Sequence, residues 1–115
     1  MKTVTAISAD GRRKMRVPIL SSAGAWCVAR GVDFRKGQRK LMRYWVVYHT
    51  PSGMALPFGH PRKVDALVVL KYMSQVEGKW SRDIMGTTAS KRFEEDAREA
   101  WYAAQVEIGT YIKLT

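Results

Sequence analysis

The chain is poor in the residues that most often do chemistry. It has one cysteine and two histidines among 115 residues. A lone Cys27 excludes a disulfide framework within the chain and suits a reducing compartment. Set between Trp26 and Val28, it reads as a small buried hydrophobe with no local base to activate it. His49, His60 and a distant cysteine make no metal-ligand spacing. There is no H-E-x-x-H, no cysteine pair, no P-loop and no dinucleotide fingerprint. No metal, cofactor or catalytic residue is therefore assigned, and the chain reads as a non-enzymatic protein. Long apolar runs are also missing, whereas a bilayer span needs about 20 such residues. The first thirty residues carry scattered charges rather than the basic start and apolar run of a secretory signal. The expectation is a cytoplasmic protein with no membrane partner.

Acid is the scarcest feature of the first part of the chain. Residues 1–43 hold eleven basic and two acidic side chains, a net +9, whereas residues 44–115 hold nine and eight, a net +1. Nearly all of the formal +10 thus sits on one part of the sequence. A field of one sign attracts polyanions and speeds encounter with them. The partners this implies are nucleic acid first and an acidic protein surface second; a basic surface kept for solubility is the ordinary alternative.

What is present fits a single domain over 1–115, with a basic β-rich half over 1–58 and a helical half over 61–108. Val4–Ser8 reads as a strand, Asp10-Gly11 as a turn, and "RRKMRVPIL" as a second strand. Alternation there puts Met15, Val17 and Ile19 on one face and Lys14, Arg16 and Pro18 on the other. Pro18 favours an edge position, because a central strand needs the N–H it lacks. "AWCVARGV" fits either a strand or a helical turn. "DFRKGQRK" reads as a loop with Gly37 at its tip, and 41–49 as the best strand. Thr50-Pro51-Ser52-Gly53 has the pattern of a type I turn with a glycine bulge, which would set Thr50 opposite Met54, His49 opposite Ala55 and Tyr48 opposite Leu56.

Helical spacing predicts a helix over 62–77, with Val64, Leu67, Val68, Lys71 and Gln75 on one side, widened by Ala66, Leu70 and Met73, and Gly78 as its stop. A second helix begins near Thr88 or Ser90 and runs to Ile108. It has an apolar stripe of Phe93, Ala97, Ala100, Trp101, Ala104 and Ile108. Residues 80–89 read as connecting structure and "TYIKLT" as a short edge strand. The predicted class is α+β, a small antiparallel sheet with two helices packed on one face.

Two basic clusters carry the functional signal: Arg12, Arg13, Lys14 and Arg16, then Arg35, Lys36, Arg39, Lys40 and Arg43. Placed on loops and outward strand positions, they would line one groove and grip phosphates without reading bases. Strand 41–49 has apolar bulk on both faces, so alternation leaves three arrangements open. Tyr44 and Tyr48 face outward and stack on bases, a contribution of about 1–3 kcal/mol per base. Or Arg43, Trp45 and His49 face outward. Or the strand is buried on both sides. The leading function is binding of nucleic acid, single-stranded DNA or RNA ahead of duplex, through basic loops and a sheet surface. The alternative is a protein-interaction module, such as a small phage- or plasmid-type inhibitor or adaptor that covers an acidic or nucleic-acid-handling protein. An exposed strand edge or surplus aromatic surface would also allow a homo-oligomer.

Overall fold

Gly53 has a backbone φ of +74°, which an L side chain adopts only at a cost, and it closes the tightest corner of the chain. Its N–H donates to the carbonyl of His49 at 2.9 Å, so four residues, 50–53, form the turn. The register is therefore His49 opposite Met54 and Tyr48 opposite Ala55. That is one residue away from the register expected for a glycine-bulge turn, because Gly53 lies inside the loop rather than in the returning strand.

The structure is a computed structural model that describes residues 2–8, 10–76 and 88–114, with the side chains of 57, 88–90 and 110–114 left aside. Five strands, β1 (Thr3–Ile7), β2 (Lys14–Ala23), β3 (Trp26–Asp33), β4 (Lys40–His49) and β5 (Met54–His60), pair antiparallel in sequence order. Two helices follow, α1 (Lys63–Met73) and α2 (Thr88–Leu114). The fold is α+β, with both helices on one face of the sheet.

The sheet curls until its ends meet. The N–H of Ile7, at the end of β1, donates to the carbonyl of Gly53 at 3.1 Å. A Cβ added at Gly53 would lie 2.0 Å from the carbonyl oxygen of Thr5, so only glycine fits there. The convex side carries the helices over Trp26, Val28 and Val47. The concave side folds over Val4, Ala6, Val17, Cys27, Ala29, Val46 and Tyr48. Residues 26–29 and 46–49 are consequently buried on both faces. This explains why "AWCVARGV" shows no alternation although it is a strand. Each aliphatic side chain fully buried in this way contributes about 1.5–3 kcal/mol.

Helix α1 buries Ala66, Val69, Leu70 and Met73, while Val64, Leu67 and Lys71 are exposed. Of the surface expected from spacing, the widening residues Ala66, Leu70 and Met73 are the buried ones, and the side centred on Val64, Leu67 and Lys71 is not. The helix is apolar nearly all round, and packing against the sheet and α2 decides what spacing left degenerate. It ends at Met73, before the 77 expected; the Gly78 stop and the connecting stretch 80–87 lie outside the described residues, as do side-chain caps at Thr88 or Ser90. In α2 the expected stripe faces the core, with Phe93, Ala104 and Ile108 buried and Ala97, Ala100 and Trp101 partly so, and Phe93 stacks on Trp26 at 5.8 Å between ring centroids. Its helix continues through 114, so residues 110–114 of the expected edge strand are helix instead. Glu107 ties the helices together, accepting from Lys71 Nζ at 2.6 Å and Tyr72 Oη at 2.9 Å.

Candidate nucleic-acid interface

Pro18 marks where the sheet opens. The β2–β3 ladder begins at Ile19, and residues 14–18 of β2 pair only with β1. The N–H of Ile19 points to β1, donating to Lys2 at 3.0 Å, so the N–H missing at Pro18 would have pointed to β3. Pro18 lies in an inner strand, yet on its β3 side it behaves as an edge, and the two strands part there.

Arginines bridge the gap. Arg13 Nη1 donates to the carbonyl of Phe34 at 2.9 Å, and Arg39 Nε donates to that of Lys14 at 2.9 Å. These bonds join "GRRK" to "RKGQRK", so the two basic clusters form one surface at one end of the sheet. The β3–β4 loop is organised by Asp33. Its carboxylate takes Arg35 Nη2 at 2.9 Å, Gln38 Nε2 at 3.0 Å and the Arg35 N–H at 2.9 Å. Bonding to Arg35 holds its pKa down at about 2. Between these anchors Lys36 sits at φ +53°, a left-handed conformation that costs a non-glycine residue about 1–2 kcal/mol. The strain presents Lys36 at the loop tip, where it is exposed.

The nine basic side chains divide by role. Arg13, Arg35 and Arg39 each hold a structural bond and keep other guanidinium donors free to face outward. Arg12, Lys14, Arg16, Lys36, Lys40 and Arg43 are exposed and make no side-chain hydrogen bond or ion pair among the described residues.

Beyond the helices, the convex face continues this charge. Arg43 and Trp45 share it with Val47, and Arg16 lies on it, opposite the face of Val17. Arg30 lies over the Trp45 ring at 5.4 Å from its centroid, and Lys63 at the start of α1 lies at the same distance. Trp45 is half-buried, and both cations are exposed. Arg30 escaped the sequence reading because it is a single charge in an apolar segment, and Lys63 because it sits with Arg62 and Asp65 in the mixed-charge start of a helix. The only available signal was the ladder, which pairs Arg30 with Trp45.

The concave face holds the tyrosines. Tyr48 is 2% exposed, and its hydroxyl donates to the Arg30 carbonyl at 2.9 Å. It belongs to the core and offers no face to a base, which corrects the outward placement. Tyr44 is half-buried at a hollow of about 820 Å³. One edge of its ring is wedged between Gly31 and Gly59, whose added Cβ atoms would lie 2.3 and 2.4 Å from it. Phe34, Tyr44 and Val32 also line an adjoining hollow with Ser8, Asp10 and Asp33.

His49, expected outward in one arrangement, is 3% exposed, edge-on to Trp26 at 5.1 Å and bonded through Nδ1 to Ser52 Oγ at 2.8 Å. Burial lowers its pKa. His60 lies at the far end of the hairpin, paired with Trp45, its pKa lowered by burial and partly restored by Asp65. Burial raises the Cys27 thiol pKa, which keeps it protonated and unreactive. No group of three or more metal-ligating side chains occurs among the described residues, and no described helix is long and apolar enough to cross a membrane. Comparison with known proteins finds no matching family model, no similar curated protein and no similar solved structure.

Proposed function

We propose that the protein is a non-enzymatic, cytoplasmic nucleic-acid-binding protein that holds single strands along its open, basic end. The observation that carries this reading is the continuity of Trp45, flanked by Arg30 and Lys63, with the two joined basic clusters. Phosphates would lie on Arg12, Lys14, Arg16, Lys36, Lys40 and Arg43, none of which forms an ion pair among the described residues. Trp45 supplies the apolar contact that an unpaired base accepts and a base buried in a duplex withholds. Neither helix brings a row of base-reading side chains to a major groove, which disfavours duplex readout.

The test is an anisotropy titration with labelled single-stranded DNA, RNA and duplex at two salt concentrations. Single strands should bind tightest, with affinity falling as salt rises. Replacing both Lys36 and Lys40 by glutamate should flatten the salt slope by about one for each phosphate no longer neutralised. Trp45→Ala should weaken single-strand binding by about 1–3 kcal/mol. Absence of any binding at low salt would refute the reading and leave an acidic protein as the partner class to pursue.

A further inference from the structure

The concave hollow lies beside the basic end but takes no part in the phosphate contacts above. Its floor is apolar and aromatic, with Val32, Phe34, Tyr44 and Val46. Its neighbouring end is polar, with Ser8, Asp10, Asp33 and Arg35. Asp10 and Asp33 are the two acidic residues of positions 1–43, and both line this one place. Carboxylates in so basic a region call for an explanation.

Asp33 has one, since Arg35 and Gln38 occupy both of its oxygens. Asp10 has half of one. Its Oδ1 accepts from Ser8 Oγ and from the Arg12 N–H, whereas its Oδ2 accepts no hydrogen bond among the described residues. Those bonds also hold its pKa below the usual range, so the carboxylate is charged. An acceptor of this kind at the rim of an aromatic hollow suits a flat ring with apolar faces and an N–H donor on its edge. The hollow that Asp10 lines adjoins the larger one and shares Val32, Phe34 and Tyr44 with it, and its volume of about 610 Å³ is ample for one such ring.

We propose that the hollow takes one unstacked, amino-bearing base of the bound strand, its ring against Phe34 and Tyr44 and its amino group toward Asp10. The inference rests on the nucleic-acid reading, and it adds base selectivity to a grip that is otherwise blind to sequence. Charge arrangement supports this occupant. Arg13 bonds to the carbonyl of Phe34, which sets cationic groups for the backbone directly beside the aromatic floor for the base. Thymine and uracil present a carbonyl where adenine and cytosine present an amine, and that carbonyl would face the Asp10 carboxylate unfavourably.

The experiment uses the full chain and short oligomers of abasic sugar-phosphate carrying one central adenine, one central thymine or no base. Adenine should bind about tenfold or more tighter than the bare backbone, within the range of one base–aromatic contact, and thymine more weakly than adenine. Met42→Trp, which fills the hollow beside Asp10 from β4 without altering charge, should erase the adenine advantage and leave backbone binding unchanged. Val32→Trp serves as the second filling variant should the first misfold. Asp10→Asn should narrow the difference between adenine and thymine. Equal binding of all three oligomers by the wild type, or equal binding of adenine and thymine, overturns the proposal while the nucleic-acid reading stands. An adenine advantage that survives both filling variants overturns it as well. If no oligomer and no ordinary single strand binds at low salt, the broader reading fails and this one with it.

Discussion

Replacing Gly31 by alanine should destabilise the protein only while the Tyr44 ring is present. The new methyl group would lie 2.3 Å from Cε2, 2.9 Å from Cζ and 3.0 Å from Cδ2 of that ring. These separations are too short for any carbon pair, so the ring must leave its place between β3 and β5. Gly31 has no left-handed φ, and an L residue meets no backbone strain there. Overpacking of this kind costs about 1–3 kcal/mol. In a Tyr44→Ala background the obstacle is gone, and alanine in a strand interior should instead stabilise by about 0.5–1 kcal/mol over glycine. The sign of one substitution thus reverses with the other, and the coupling amounts to about 1.5–4 kcal/mol. Urea unfolding of the wild type, both single variants and the double variant, followed by tryptophan fluorescence, measures it directly. Equal cost of Gly31→Ala with and without the ring would show that Tyr44 is not wedged against this strand, and the shape given to the hollow would be wrong.

Two further outcomes follow from the fold. Gly53→Ala adds a left-handed penalty of about 1–2 kcal/mol to a clash with the Thr5 carbonyl, and a loss of about 2–5 kcal/mol is expected from denaturant midpoints. Acid should unfold the protein in two stages. Unfolding exposes a His49 ring that takes a proton more readily than the buried one, so stability falls as pH drops below about 6.5. The Asp33 carboxylate adds a second loss between its ordinary 3.8 and about 2, as its bonds to Arg35 and Gln38 give way. Thermal melts across the acid range would show both, and a melting point flat from neutral pH to pH 5 would contradict the buried, neutral histidine.

The layered class was legible because turns, alternation and helical stripes each act locally. Asp10-Gly11 and Gly53 mark corners through backbone geometry that glycine alone tolerates well, and Met15, Val17 and Ile19 alternate because only one side of β2 is covered. Where both sides are covered, as from Trp26 to Ala29, the period vanishes and the sequence is silent. The buried face of α1 was only partly legible, because apolar residues such as Val64 and Leu67 also occupy its exposed side. Joining of the two basic clusters was expected from their composition, but its means was not. The bond from Arg13 to Phe34 spans 21 positions and depends on strands parting at Pro18. The hollow depends on Gly31 and Gly59 approaching one tyrosine ring from opposite neighbours of β4. Neither glycine carries any mark of that role in its own neighbourhood.

The bridges at the open end also bear on entropy. A long side chain loses freedom when it meets a ligand, at about 0.5–1.5 kcal/mol for each one immobilised. Arg13 and Arg39 are already tethered by carbonyls across the gap, and Arg35 by Asp33, so folding has ordered them in advance. Arg12, Lys14, Lys36 and Lys40 carry no such tether and must be ordered at the moment of contact. The surface therefore combines fixed charges that define where a polyanion lies with mobile ones that adapt to its course.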